Sequence, residues 1–224
     1  MSRASRISKM NWKLPNQLTV GRILLSAVFF TLLGLYRPGP ATALGAWVLN
    51  AALGVYILAG ITDMLDGYLA RRWNLTSVFG RIVDPFVDKV LVVGGFIMLS
   101  GSNFRLTDLG GFEGQLPRWL TGHMASAVQA WMAMLIMARE FIVSAVRGYS
   151  ESLGVQFPAS YAGKIKMFIQ SVAICGALCQ QANLPDETWA VIAKVSLVWL
   201  AMLITVVSSL AYVGRAVKLL KVED

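Results

Sequence analysis

Apolar residues run along this chain in long blocks, separated by short gaps rich in polar residues, Gly and Pro. A block of about 20 mostly apolar residues is long enough for a membrane-crossing helix. Six such blocks are predicted: Leu18–Tyr36, Ala41–Arg72, Val83–Ser100, Trp119–Val146, Tyr161–Gln181 and Ala190–Val217. Residues 38–62 contain no charge. Punctuation falls at Pro38, Pro40, Gly110, Gly111, Pro117, Pro158 and Pro185, where turns are expected. Ahead of the first block, residues 1–17 interleave Arg3, Arg6, Lys9 and Lys13 with Met10, Trp12 and Leu14. That pattern predicts a short N-terminal interfacial segment on the cytoplasmic face. No internal repeat is evident. The expected fold is all-α and integral to the membrane: six transmembrane helices in a single domain over 1–224.

Composition agrees with the pattern. The chain is 56% hydrophobic with a mean hydropathy of +0.62, and only 14% of it is charged. Soluble domains carry about 25% charged residues. The net charge of +8 suits phosphates or an anionic lipid surface. The basic residues are scattered between apolar blocks, which argues against nucleic acid as a partner. Sixteen of the 20 Lys and Arg fall on block ends that would share one side of the membrane. The positive-inside bias therefore puts both termini in the cytoplasm. Trp12, Trp73, Trp119 and Trp189 sit near predicted span ends, as an aromatic belt requires. Cys175 and Cys179, at i and i+4, read as small buried packing residues, and His123 as an interfacial one.

Carboxylates change the picture. Asp63, Asp66, Asp84 and Asp88 lie within or beside apolar segments. An Asp at a membrane-helix centre costs about 2.5–3.5 kcal/mol, so four without compensation would cost on the order of 10 kcal/mol. The turn between the second and third helices is expected around residues 73–80. With Thr76 at its centre, Asp66 lies ten residues before it and Asp84 eight after, at similar depth on two antiparallel helices. Asp63/Asp66 are i,i+3 and Asp84/Asp88 are i,i+4, so each pair shares a helix face. Four carboxylates in one cleft suit one or two hard divalent cations, Mg²⁺ or Mn²⁺ rather than Zn²⁺. A cation or proton transporter would instead spread carboxylates over several helices at mid-membrane, often with repeat symmetry.

The full spacing, D-x-x-D-G-x-x-A-R-x₈-G-x-x-x-D-x-x-x-D, fixes Asp63, Asp66, Gly67, Ala70, Arg71, Gly80, Asp84 and Asp88. It resembles the signature of the CDP-alcohol phosphotransferases at every position. That resemblance implies a six-helix membrane enzyme, commonly a homodimer, in the bacterial inner membrane with its active site on the cytoplasmic side. It implies transfer of a substituted phosphate from a CDP-linked donor, here CDP-diacylglycerol, to an alcohol, with release of CMP. By the same resemblance, two divalent cations would be held by Asp63, Asp66, Asp84 and Asp88, and Asp88 would be the general base. Gly67, Ala70, Arg71 and Gly80 would bind the donor, with Thr19 and Arg22 contributing from the first helix.

Three further stretches resemble the family's bacterial members that use glycerol-3-phosphate: Pro15–Arg22, Ala138–Arg147 and Gly163–Lys166. Met167 stands where many relatives have Thr. Arg139, Arg147, Lys164 and Lys166 form a basic set fit for a phosphate dianion. Glycerol-3-phosphate is therefore the expected acceptor; inositol phosphate, serine and phosphatidylglycerol are the alternatives. Replacing Asp84 or Asp88 by Asn is expected to abolish transfer while leaving a folded protein. CMP release by the purified variants is the measurement, and normal turnover in either would exclude the scheme.

Overall fold

The computed structural model describes residues 3–37, 43–73, 78–104, 128–152 and 161–220. Among them there are six α-helices and no strand: α1 Arg3–Leu35, α2 Ala43–Trp73, α3 Val78–Leu99, α4 Ala130–Ser152, α5 Tyr161–Asn183 and α6 Thr188–Leu220. A 3₁₀ turn, Ser102–Phe104, follows α3. The order matches the six apolar blocks, with differences at the ends. The N-terminal segment is continuous with α1 instead of forming an element of its own. The helix continues through Pro15, although an interior proline forgoes one backbone hydrogen bond. The helix of the fourth block ends at Ser152, beyond the expected Val146. Its expected start at Trp119, together with His123, falls outside the described residues.

The chain divides into two compact units, Met1–Met98 and Leu99–Asp224. In the first, α1 and α2 pack through stripes at helical spacing. Phe29 and Leu33 are buried on α1 and Tyr36 just after its end, and Leu49, Ala52, Tyr56 and Ala59 on α2. The Phe29 and Tyr56 rings lie 5.2 Å apart. Small residues at Ala52 and Ala59 allow backbones to approach where bulk would hold them apart. Gly94 does the same for α3. A Cβ there would lie 2.5 Å from Phe30 Cζ, so the missing side chain is the space the ring occupies. Phe30 has little freedom to withdraw, because its ring packs 5.4 Å from that of the fully buried Phe29.

The second unit holds α4, α5 and α6. Met132, Ala133 and Ile136 of α4 are buried, as are Ile174, Ala177 and Leu178 of α5 and Val191, Val195 and Val198 of α6. A buried hydrogen bond from Gln170 Nε2 to Thr205 Oγ1, 3.0 Å long, links α5 to α6. Such bonds between apolar helices satisfy groups that have no water to turn to. Cys175 and Cys179 are free thiols; Cys179 is exposed, contrary to the expected burial, because it lies on the side of α5 away from the packed stripe.

Outward faces are apolar as well. Leu24, Leu44, Trp47, Met134, Phe168 and Leu203 are each more than 60% exposed. A soluble helix would carry polar residues there. Two described stretches are long and apolar enough to cross a membrane, Leu44–Tyr68 with mean hydropathy 1.8 and Thr188–Ser209 with 2.4. Thr19–Leu35 is a shorter apolar helix.

The contrast between Gly94 and Gly54, whose Cβ would meet nothing within 4 Å, gives a test of the packing. Gly94→Val is expected to destabilise by about 1–3 kcal/mol through overpacking. Gly54→Val should cost less. Thermal unfolding in detergent compares them, and equal melting temperatures would contradict the packing described.

Candidate active site

Helical spacing brings the acids of α2 together. Asp63 and Asp66 are one turn apart, and Asp66 points inward, with only 4% of its surface exposed. Asp88 comes from α3. Between them lies Arg22 of α1, buried to 1% exposure. Its Nη1 is 2.6 Å from Asp63 Oδ1 and 2.5 Å from Asp88 Oδ1. Its Nη2 is 3.4 Å from Asp66 Oδ2. One planar guanidinium thus joins three helices, a task that suits the fork of an Arg and not the point charge of a Lys. Thr19, fully buried one turn before Arg22, lies on the same face of α1. Ser26 Oγ donates to the Arg22 carbonyl oxygen at 2.8 Å.

Exposure is graded across the group. The Asp66 side chain is 6% exposed, that of Asp88 24% and that of Asp63 39%. Asp66 is thus the buried member of the group, and Asp63 and Asp88 keep part of their surface exposed. One guanidinium against three carboxylates leaves a formal charge of −2. The donors are all oxygen, the set that hard divalent cations prefer. Charge and donor chemistry therefore fit a divalent cation. No three Asp, Glu, His or Cys among the described residues are placed to hold a metal ion by themselves. Arg22 stands among the three described acids, and the side chain of the fourth, Asp84, lies outside the described residues, as do those of Ala70 and Arg71. Gly80 is described only as a position in α3. Gly67 is exposed beside Asp66.

A second charged cluster belongs to the second unit. Arg139 Nη1 donates to Glu140 Oε1 at 3.1 Å, and Arg139 Nη2 to Ser208 Oγ at 3.1 Å. Lys166 Nζ donates to the same Glu140 Oε1. Arg139 and Lys166 are 6% and 3% exposed. Of the four cations expected at the acceptor's phosphate, the structure joins these two through Glu140. It does not join the others to them: Arg147 is half-buried and Lys164 exposed.

Sequence reasoning gave Arg22 a part in binding the donor and missed its place at the centre of the acids. It gave Glu140 and Ser208 no part at all. A signal for Glu140 was present, as an acid beside an arginine in an otherwise apolar stretch. Ser208 had none, because serines are common in packed apolar helices.

Comparison with known proteins gives the family. The family model for CDP-alcohol phosphatidyltransferase matches residues 12–207. A CDP-diacylglycerol–glycerol-3-phosphate 3-phosphatidyltransferase of Bacillus subtilis is 31% identical over 219 residues, 95% of this chain and 100% of that protein. Proteins of the same name from Rickettsia bellii and Escherichia coli K12 are 31% and 30% identical, over 91% and 92% of this chain and 95% and 96% of their own lengths. By that match over most of its length, the chain belongs to the CDP-alcohol phosphatidyltransferase family. It is an enzyme, a phosphatidyltransferase.

Removing the central charge tests the arrangement. Arg22→Ala leaves three acids facing one another and is expected to cost about 3 kcal/mol, the scale for breaking a buried ion pair from one side. The loss should appear as a lower melting temperature in detergent with EDTA present. Unchanged melting would mean that Arg22 does not hold the group together.

Proposed function

We propose that this enzyme transfers the phosphatidyl group of CDP-diacylglycerol to glycerol-3-phosphate, giving phosphatidylglycerophosphate and CMP. The observation that carries the reading is the convergence of Asp63, Asp66 and Asp88 on one point, in a chain whose relatives are named for this donor and this acceptor. Asp63, Asp66, Asp84 and Asp88 would hold two divalent cations, Mg²⁺ or Mn²⁺. Such cations supply neutralisation of the charge that grows on the pyrophosphate and the leaving CMP.

The chain's own residues do the rest. Gly67, Ala70, Arg71 and Gly80, with Thr19 and Arg22, bind the donor. Asp88 accepts the proton of the acceptor hydroxyl. The hydroxyl oxygen forms a bond to the phosphorus that carries the diacylglycerol, and the bond from that phosphorus to CMP breaks. CMP departs with the electron pair. Arg139 and Lys166, with Arg147 and Lys164, hold the acceptor's phosphate. The apolar outer faces support a chain embedded as six spans in the bacterial inner membrane, working as a homodimer with termini and active site on the cytoplasmic side.

Protein purified in detergent, given CDP-diacylglycerol and Mg²⁺ or Mn²⁺, is expected to release CMP with glycerol-3-phosphate. It should not do so with inositol phosphate, serine or phosphatidylglycerol. EDTA should stop the reaction and added metal restore it. Preference for another acceptor would overturn the acceptor; turnover in EDTA would overturn the metal requirement.

A further inference from the structure

Arg139, Glu140, Lys166 and Ser208 bring α4, α5 and α6 of the second unit to one point. The side chains of Arg139, Lys166 and Glu140 are 6%, 3% and 12% exposed. Two cations share one carboxylate where all three side chains are largely buried, so the attraction of an anion is little screened.

The carboxylate is used unevenly. Both cations donate to Glu140 Oε1, while Oε2 accepts no hydrogen bond from the described residues. A structural ion-pair network usually spreads its donors over both oxygens. Here half the acceptor capacity of Glu140 is idle, so the contact is one that a better anion can displace. A phosphate monoester is a better anion: it offers three oxygens and up to two charges to the same donors. Arg139 is anchored from its other nitrogen by Ser208, so it stays in place when Glu140 lets go. Lys166, on a flexible four-carbon stem, can shift with the ligand.

We propose that Glu140 is the internal counter-anion of the acceptor-phosphate site: it holds Arg139 and Lys166 in position while the site is empty, and gives them up to the acceptor's phosphate. Glu140 is thus a positioning residue whose charge sets how strongly the site favours a phosphate-bearing acceptor. This rests on the reading of Arg139 and Lys166 as the acceptor's phosphate holders.

The experiment compares wild type with Glu140→Gln and Glu140→Asp, using glycerol-3-phosphate and inorganic phosphate as probes. Removing the negative charge makes the group more positive by one unit. For glycerol-3-phosphate, the KM of Glu140→Gln should fall about tenfold, as expected for a unit charge a few ångströms from the ligand at an intermediate dielectric. Inhibition by inorganic phosphate should strengthen in parallel, with KM for CDP-diacylglycerol unchanged. Without ligand the variant should melt lower than wild type, and glycerol-3-phosphate should raise its melting temperature more than it raises that of wild type. A purely structural role predicts the lower melting temperature but not the tighter binding.

Glu140→Asp keeps the charge but withdraws the oxygen. It should tighten binding by a smaller factor, and it stands in should the Gln variant fail to fold. An equal or higher KM for glycerol-3-phosphate in the variants overturns the counter-anion role while leaving the acceptor reading intact. A wild type that turns over no phosphorylated acceptor overturns both.

Discussion

A guanidinium enclosed by three carboxylates governs the first unit. Arg22 is almost fully buried, and so is Asp66. Neither charge would be tolerable there alone, because desolvating a single ion costs several kcal/mol. Each makes the other admissible, and the partners come from different helices. The ion group therefore constrains where α1, α2 and α3 cross. The apolar contacts of Phe29, Leu33, Tyr56 and Phe30 support that crossing without choosing it, since apolar packing is non-directional and tolerates neighbouring registers. The guanidinium is directional and does not.

The second unit meets the same constraint with the signs reversed. One carboxylate, Glu140, lies between two cations. In both units a charge of the opposite sign stands at the centre: a cation among the acids, an anion among the bases. Such internal counter-ions make buried groups of like charge tolerable, because each would be costly to desolvate alone.

Much of this was legible in the sequence. Helix number and order followed from the length of the apolar blocks, because a helix that faces lipid or other helices has nowhere to put a charge. Asp63 and Asp66 could be assigned to one face of α2 from spacing, because helical periodicity dictates which residues share a face, and the expected turn between the second and third helices brought Asp88 to the same end. The continuity of the N-terminal segment with α1 was less visible, because its interleaved basic residues end the apolar block while the backbone hydrogen bonds of a helix do not depend on hydropathy. The exposure of Cys179 was misread because small apolar residues suit a packed face and an outward apolar one equally.

The sequence alone determined the chemistry of the chain: the carboxylates, their spacing, and the family to which that spacing belongs. Only the tertiary structure decided what each charge faces. Asp88 meets a guanidinium 66 positions away in the chain, and Lys166 meets a carboxylate 26 positions away. No local period encodes such a pairing. It depends on how helices cross, and crossing is decided by the sum of many contacts. Arg22 and Glu140 were therefore visible as residues from the start, but became the centres of their clusters only once the helices were in place.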